Sequence, residues 1–404
     1  MVENETQLRP RKYVRNYRGG ALHANQNIMN NKQRMLTAMA GKKPDHVPVF
    51  ISSYWDYEVR AANGDPFEYA YGDLNTRLHT ELAFLKRHFN AGLHRLSPGH
   101  VRRTKGTIIK EQNCRHVLDD SGRPLFDLPP RCPLPWTPLI EKYLPELVCF
   151  SAHPPETVKR PEDIARIVDI DIASRPAFNS DEFVKAMVPE ISGKILIATS
   201  GCALFPHTRR CLGGTEQCLL ALMDTPALVE SVMEALLTRY DKMIAMCAKA
   251  GSDAMWCGAY DEGADVVSPG LWRKMILPRH KKLVAMIHSR NMKAICWFLG
   301  DCLPLVEDLA EAGYDALILE QGRGAYSSDV GAMRKRVGNE LCLSGWLPEI
   351  AVLKDDRETI RRHIHEQYES AGTNGAFLFA TSILDSNVNP ETIDFVCKEI
   401  DSLK

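Results

Sequence analysis

The chain has 404 residues, of which 45% are hydrophobic and 25% are charged, and its formal net charge is −1. This composition is typical of a globular protein with a sizeable core, and the near-neutral charge argues against nucleic acid or an anionic membrane as a partner. No apolar stretch approaches the roughly 20 residues that a transmembrane helix needs. The twelve cysteines are scattered and the N-terminus carries no signal-peptide core. These features predict a cytoplasmic protein with reduced thiols.

The first part of the chain is irregular. Residues 1–30 are polar and basic, and we interpret them as a flexible or subunit-embracing arm, with docking to an acidic partner as the alternative. The pattern then predicts a helix over Asn31–Met39, closed by Gly41, and a strand over 49–52. Residues 100–165 are rich in proline and glycine, and their clearest irregular stretch is SGRPLFDLPPRCPLPWTP (121–138). We interpret this section as an excursion from the main domain rather than a separate domain.

From about residue 190, short apolar runs alternate with helical patterns. Strands joined by crossover helices are parallel, and the chain has neither a GxGxxG nor a GxxxxGK[ST] phosphate loop. The sequence therefore predicts an α/β fold, a (β/α)8 TIM barrel over residues 31–404 with an N-terminal extension and an irregular insertion. The predicted strands are 194–199, 254–258, 294–298, 316–319, 341–344 and 376–380, and the predicted helices include Pro226–Ala250, 271–288 and 360–370.

Aromatic residues stand at or just past the carboxyl ends of several predicted strands, where a barrel of this kind keeps its chemistry. Aromatic rings gathered at one face suit a methoxylated aromatic compound or a methylammonium group. The alternative is that two or three of the rings only pack under the helices. The predicted substrate-binding aromatic residues are Tyr54, Trp55, Tyr260, Trp297 and Trp346.

Polar residues occupy similar positions. Asp261 and Glu262 form a predicted carboxylate pair, in which one raised pKa would provide a proton donor; a loop salt bridge or helix cap is the alternative. Asp301 is either catalytic or the cap of the next helix. Glu320 ends its strand and is predicted to line the substrate cavity. His207 is the histidine near the predicted mouth, and either a catalytic or a structural role fits it.

Three phrases of the chain carry a family resemblance. RMLTAMAGKKPDHVPVF (34–50), AGSDAMWCGAYDEGADVVSPGLWRKMILPRHKKLV (250–284) and MKAICWFLGDCLPLVEDLAEAGYDALILE (292–320) resemble, in order, signatures of the uroporphyrinogen decarboxylase superfamily. In the decarboxylase branch, an arginine-rich segment follows the first strand and binds the carboxylates of a tetrapyrrole. Here the corresponding stretch, SSYWDYEVRAANGD (52–65), contains only Arg60. A polyanion needs clustered cations, so the resemblance favours another branch.

That second branch consists of methyltransferases that move a methyl group between a small substrate and the cobalt of a corrinoid carried by a partner protein. Many of them hold zinc with a His-x-Cys-Gly motif after the strand that matches 294–298, and with a cysteine after the last strand. This chain reads Trp-Phe-Leu before Gly300 and has no cysteine in 381–385. Tryptophan and leucine cannot bind zinc, so that site is not expected. A relocated metal site would draw on Glu262, Asp301 or Cys302.

The resemblance therefore implies a corrinoid-dependent methyltransferase of the O-demethylase type. It would take a methyl group from a small methylated substrate, with an aromatic methyl ether favoured, and pass it to a corrinoid protein. The cofactor would be the corrinoid of that partner, with zinc left undecided, and a homodimer would suit the N-terminal arm. One alternative is a decarboxylase of a porphyrinogen-like or small carboxylic acid. The other is a barrel without catalytic activity that serves as a binding protein.

Overall fold

The structure is a computed structural model that describes residues 29–88, 90–96, 106–144, 158–165, 180–324 and 326–403. Residues 1–28 of the predicted arm lie outside this part. In chain order the strands are β1 (Val49–Phe50), β2 (Ala91–Leu96), β3 (Thr107–Lys110), β4 (Arg115–Leu118), β5 (Pro124–Leu128), β6 (Leu196–Cys202), β7 (Ala254–Tyr260), β8 (Lys293–Leu299), β9 (Ala316–Leu319), β10 (Cys342–Gly345) and β11 (Phe377–Ala380). Eight parallel strands form a closed barrel in the order β1-β11-β10-β9-β8-β7-β6-β2, which confirms the predicted fold class.

The helices surround the barrel, and none in the described part of the chain is both long and apolar enough to cross a membrane. In chain order they are α1 (Asn31–Met39), α2 (Trp55–Ala61), α3 (Pro66–Tyr71), α4 (Leu74–Arg87), α5 (Thr137–Tyr143), α6 (Ser180–Ile191), α7 (Leu204–Cys211), α8 (Thr215–Asp224), α9 (Pro226–Ala250), α10 (Pro269–Met275), α11 (Leu277–His288), α12 (Val306–Glu311), α13 (Val330–Val337), α14 (Glu349–Leu353), α15 (Arg357–Gln367) and α16 (Pro390–Asp401). The described residues also include short 3-10 turns at Pro161–Ile164 and Leu303–Leu305 and a π turn at Tyr368–Gly372.

The predicted bounds of α1 and α9 are confirmed. A capping box at Asn30 begins α1, and Gly251 ends α9 with a left-handed φ of 93°. The single helix predicted over 271–288 is wrong, because α10 ends at Met275 and α11 begins at Leu277. Pro278 lies in the first turn of α11, where its missing N–H is tolerated, whereas inside one continuous helix it would remove a hydrogen bond.

The barrel interior is filled by side chains that alternate along the strands with those facing the helices. Helix α1 covers the amino ends of the strands: Asn31 bonds the carbonyl of Ala91, and Lys32 pairs with Asp253 at 2.6 Å. The opposite, carboxyl end of the barrel is thereby left for chemistry. The interior cluster includes Phe50, Leu93, Leu196, Trp256, Ile295, Ile318, Cys342 and Leu378, with Met35 of α1 beneath them.

The insertion contains more regular structure than expected. Strands β3, β4 and β5 form a separate antiparallel sheet. The prediction that 121–138 is irregular is therefore wrong for β5. Despite the prolines in and after it, this strand pairs with β4, with Leu128 opposite Arg115 and Asp127 opposite His116. One face of this sheet packs on α2 and α3, and the buried Arg115 lies 2.8 Å from Asp65 at the start of α3. This contact fixes the insertion against the segment that follows β1.

Candidate functional site

The candidate site is formed by side chains that point inward at the carboxyl ends of the barrel strands. Trp297 follows the interior residue Ile295 by two positions in β8, and Glu320 follows Ile318 by two positions, directly after the last residue of β9. The period of two places both side chains on the inner face. The indole Nε1–H of Trp297 donates a hydrogen bond to Glu320 Oε1 over 2.9 Å. Two residues that the sequence assigned to substrate binding therefore lie in direct contact.

Aromatic rings extend this contact into a wall. The Trp297 ring lies 5.6 Å from the Tyr260 ring at the end of β7 and 6.4 Å from that of Trp256, with an interplanar angle of 29° to Trp256. Trp297 and Tyr260 remain partly exposed, whereas Trp256 is buried. The structure thus brings Tyr260 and Trp297 together, and Trp256 packs against Trp297 from deeper in the barrel.

Glu320 has the electrostatic character of a proton donor. Its side chain is 7% exposed, and burial raises the pKa of its carboxyl group above the ordinary value. The Trp297 hydrogen bond and the positive charges of Arg323 and Arg95 oppose this shift, while Glu349 adds to it. Arg323 Nη2 is 3.8 Å from Glu320 Oε2. A carboxyl group with a raised pKa beside an aromatic wall can act as a proton donor to a substrate oxygen.

Arg95 is a functional candidate that the sequence prediction missed. It follows Leu93 by two positions in β2, so it points into the barrel, and its guanidinium carbon lies 5.3 Å from the Trp256 ring centre. Its Nη2 donates to the Ser53 carbonyl over 3.2 Å. Burial lowers the pKa of the guanidinium, and nearby carboxylates including Glu320 oppose that shift. The signal was the alternation in AGLHRL, but this short run with two basic residues was not recognised as a strand.

Tyr54 lies at the start of α2 and borders the same group. Its N–H donates to the Leu384 carbonyl over 2.8 Å. Burial raises the pKa of the Tyr54 phenol, and both Arg95 and Glu320 are close enough to influence it electrostatically. Tyr54 therefore lies near Arg95 and Glu320, and its assignment to substrate binding stays a prediction.

Two predicted pocket residues point elsewhere. Trp55 stacks on Tyr69 with ring centres 5.7 Å apart, in the cluster beneath the insertion rather than at the barrel mouth. The indole of Trp346 donates to the Ser328 carbonyl over 2.9 Å and lies 4.3 Å from the ring of His363 on α15. Both residues lie beyond the paired residues of their strands, as Glu320 also does, so the alternation alone does not distinguish the side chain that stays on the inner face from the two that leave it.

The predicted carboxylate pair at 261–262 does not form, because the neighbouring side chains have different partners. Asp261 has a left-handed φ of 59° and bonds Arg209 at 2.5 Å on the rim, which matches the salt-bridge alternative. Glu262 is fully buried behind the strands, with Oε1 3.0 Å from His280 Nε2. His280 in turn contacts the Tyr314 hydroxyl at 2.6 Å. Glu262 thus belongs to a structural pair between barrel and helices.

Asp301 and His207 also have local partners. The Asp301 N–H donates to Asp265 Oδ1 over 2.8 Å, and the 3-10 turn that follows begins after Cys302 without a side-chain cap bond. Burial raises the pKa of the Asp301 carboxyl group, and the nearby Leu303 N–H opposes that shift. His207 Nδ1 lies 2.5 Å from the Tyr240 hydroxyl. Burial, assisted by Arg210, lowers the pKa of His207 to about 3, so its imidazole is neutral at physiological pH. A neutral imidazole bonded to Tyr240 favours the structural role.

Among the described residues, those at the barrel mouth do not form a zinc site. Across the described ranges, one group of three His, Cys, Asp or Glu residues brings its ligand atoms within 4.8 Å of one another, and that group lies in the insertion. The relocated set considered from the sequence, Glu262, Asp301 and Cys302, does not converge in this way. No chemical step at the mouth is therefore assigned to a bound metal.

Comparison with known proteins agrees with this architecture. The profile of the family described as Uroporphyrinogen decarboxylase (URO-D) matches residues 156–402. No curated protein matches the sequence significantly. A solved methyltransferase from Methanosarcina mazei has a TM-score of 0.66 at 16% identity, over 92% of this chain and 98% of that one, which shows a shared fold. A 3-keto-D-glucoside 4-epimerase from E. coli gives a TM-score of 0.32 at 12% identity, over 55% and 85% of the two chains, too low to support an argument.

Proposed function

The chain belongs to the uroporphyrinogen decarboxylase family, and from this premise we propose that it is a methyltransferase that demethylates a small methoxylated aromatic compound. The acceptor would be the corrinoid of a partner protein. The fold shared with the methyltransferase from Methanosarcina mazei supports this proposal. The single observation that carries it is the hydrogen-bonded pair of Trp297 and Glu320 at the barrel mouth.

The pair matches what ether cleavage requires. The methyl carbon–oxygen bond breaks, and the departing oxygen gains an electron pair that a proton must neutralise. The Glu320 carboxyl group, with its raised pKa, would supply that proton. Trp297 and Tyr260 would bind the aromatic ring of the substrate by stacking, and Arg95 would stabilise negative charge that remains on it. When bound, the corrinoid would supply the cobalt nucleophile that takes the methyl group.

The mouth also has surroundings that fit a macromolecular partner. Arg323 bridges Glu320 to Glu349, the first residue of α14, since it lies 3.4 Å from the Glu349 carboxylate. On the same short helix, Ile350 is 64% exposed and Leu353 is 53% exposed. Contiguous apolar patches mark protein contact surfaces, and these two side chains would contribute to one beside the mouth. A corrinoid protein bound there would bring its cofactor to the exposed edge of Trp297.

The test is methylation of free Co(I) cobalamin by the purified protein with a panel of methoxylated aromatic compounds. We expect methylcobalamin to form with at least one donor. Glu320→Gln should lower the rate by roughly 10²–10⁴-fold, the usual contribution of a general acid. The control is Asp385→Asn, because Asp385 Oδ1 accepts from the Asn387 N–H over 2.8 Å and asparagine retains that acceptor. This variant should keep the wild-type rate.

Two outcomes would contradict the proposal. In the first, none of the donors gives methylcobalamin, but the folded protein releases carbon dioxide from a porphyrinogen or a small carboxylic acid. The protein is then a decarboxylase. If neither reaction occurs, a binding function is favoured. Equal rates for wild type and Glu320→Gln would refute the role of Glu320 even if methyl transfer is found.

A further inference from the structure

A group of metal-ligand side chains lies on the outer face of the β3–β5 sheet. One ligand atom each from Cys114, His116 and Asp127 lies within 4.8 Å of the others. The backbone explains the convergence, because His116 of β4 is directly opposite Asp127 of β5. Cys114 precedes His116 by two positions and so shares its face, whereas the intervening Arg115 is buried on the other side.

The surroundings of His116 provide a second observation. Its Nδ1 lies 2.8 Å from Asp127 Oδ1, and its Nε2 lies 3.6 Å from Glu111 Oε2. The Glu111 N–H donates to the Cys114 carbonyl over 2.8 Å and closes the turn between β3 and β4. A histidine that binds a metal typically uses one ring nitrogen for the metal and donates the other N–H to a carboxylate. The imidazole of His116 already lies between two carboxylates.

Cys114 also differs from the other cysteines in the described part of the chain. It is partly exposed, whereas Cys132, Cys202, Cys296 and the rest of that group are buried. A thiol on the surface of a small sheet contributes little to packing, but it is accessible to an ion from solution. Its Sγ has a weak contact with the Arg115 carbonyl at 3.7 Å. Exchanging this contact for a metal bond would cost little.

We propose that Cys114, His116 and Asp127 bind a divalent zinc-type ion, with Glu111 as the carboxylate that orients the imidazole. The thiolate and the Asp127 carboxylate would balance the two positive charges, and water would complete a tetrahedral set. Zinc bonds of about 2.0–2.3 Å require ligand atoms roughly 3.5 Å apart, so small side-chain rotations would close the site. On binding, the Cys114 thiol loses its proton to solvent, and the metal replaces the contact between His116 and Asp127.

Such an ion would fasten the β3–β4 turn to β5. The opposite face of the sheet packs on α2 and α3, which directly follow the mouth residue Tyr54. The site would therefore stabilise the insertion against the barrel. This inference does not depend on the proposed methyl transfer.

The experiment uses the full-length protein without an affinity tag, treated with a chelator and then titrated with Zn²⁺ or Co²⁺. Calorimetry and elemental analysis after dialysis should give one ion per chain, and the cobalt form should show thiolate-to-cobalt charge-transfer absorption. Cys114→Ser should abolish that absorption and weaken binding at least tenfold. Glu111→Gln should weaken it by about tenfold or more, as loss of an orienting carboxylate does.

The matched control is His288→Ala. His288 Nε2 lies 2.8 Å from Asp315 Oδ2, so it forms the same kind of exposed histidine–carboxylate pair outside the insertion. We expect this variant to bind the ion as the wild type does. The proposal is overturned if binding is not saturable, or if folded Cys114→Ser binds the ion with unchanged affinity. Cys114 and Glu111 are not part of the core, so we expect Cys114→Ser and Glu111→Gln to fold. These two variants test the proposal even if a His116 variant fails to fold.

Discussion

Replacing Glu262 by methionine distinguishes a structural carboxylate from a catalytic one. Glu262 is fully buried and His280 is 2% exposed, and their closest atoms are 3.0 Å apart. Among the described residues, no group donates a conventional hydrogen bond to either Glu262 oxygen, so His280 is its main partner. The imidazole also lies against the Trp272 ring, with centres 5.6 Å apart. Methionine has a similar length but offers no polar oxygen for the close contact with His280 Nε2.

The expected loss of stability is large. Removing one member of a buried pair leaves the other without compensation for its lost hydration, which costs about 3–5 kcal/mol. A domain of ordinary stability has roughly 5–15 kcal/mol in total, so the effect should be plain in urea unfolding. Substituting both partners, Glu262→Met with His280→Phe, should cost less than the sum of the single changes, because neither polar group is then left alone.

The assay is urea unfolding of the wild type, the two single variants and the double variant, followed by circular dichroism. We predict a coupling free energy of at least 1 kcal/mol between Glu262 and His280, within the range for residues in contact. A Glu262→Met protein that unfolds within about 0.5 kcal/mol of wild type would refute this account. If that stable protein also lost activity, the catalytic role predicted from the sequence would regain support.

Three further predictions concern the mouth and its supports. Trp297→Phe removes a hydrogen bond that lowers the pKa of Glu320, so the pKa should rise; activity that needs the protonated acid should then persist to higher pH, as measured by the pH profile of kcat/KM. If the profile is unchanged, Glu320 is not the titrating acid. Burial and the neighbouring Glu81 raise the pKa of Glu58 well above its ordinary value, so stability contributed by the neutral form is lost as pH rises through that pKa. As the pH rises from acidic to alkaline, the unfolding free energy of the wild type should fall relative to that of Glu58→Gln, because glutamine does not titrate. The opposite trend in urea unfolding would contradict the assignment. Gly345→Ala places a methyl carbon 2.4 Å from a phenylalanine ring of β11 and should cost about 1–3 kcal/mol, whereas unchanged thermal unfolding would show that the ring can move away.

The barrel could be predicted because its signal is repeated. Long helices such as α9 have many turns that agree on one apolar face, and a capping residue or glycine sets their ends. Strand β2 was missed because a single run of six residues, AGLHRL, has little such redundancy. The β3–β5 sheet was missed for a related reason. Its prolines and glycines are residues that usually indicate loops. The pairing that makes β5 a strand depends on residues of β4, so the β5 segment alone does not reveal it.

The site was predictable as far as the strands reach. Trp297 and Glu320 continue the inward alternation of β8 and β9, so their meeting follows from the pattern. Trp55, Glu262 and Trp346 lie beyond the paired residues, as Glu320 does, and there the turn of the loop decides whether a side chain keeps the direction that the strand pattern predicts. Sequence position alone could not tell that Glu262 turns back between the barrel and its helices.

The proposed function is tested most directly by following the transferred group. The protein is incubated with Co(I) cobalamin and a methoxylated aromatic compound carrying a ¹³C-labelled methyl group, and the cobalt-bound methyl signal is recorded by NMR. The account predicts labelled methylcobalamin and the corresponding phenol in equal amounts, with both products reduced together by Glu320→Gln. Absence of label on cobalt with every donor tested, from protein shown to be folded, would contradict it.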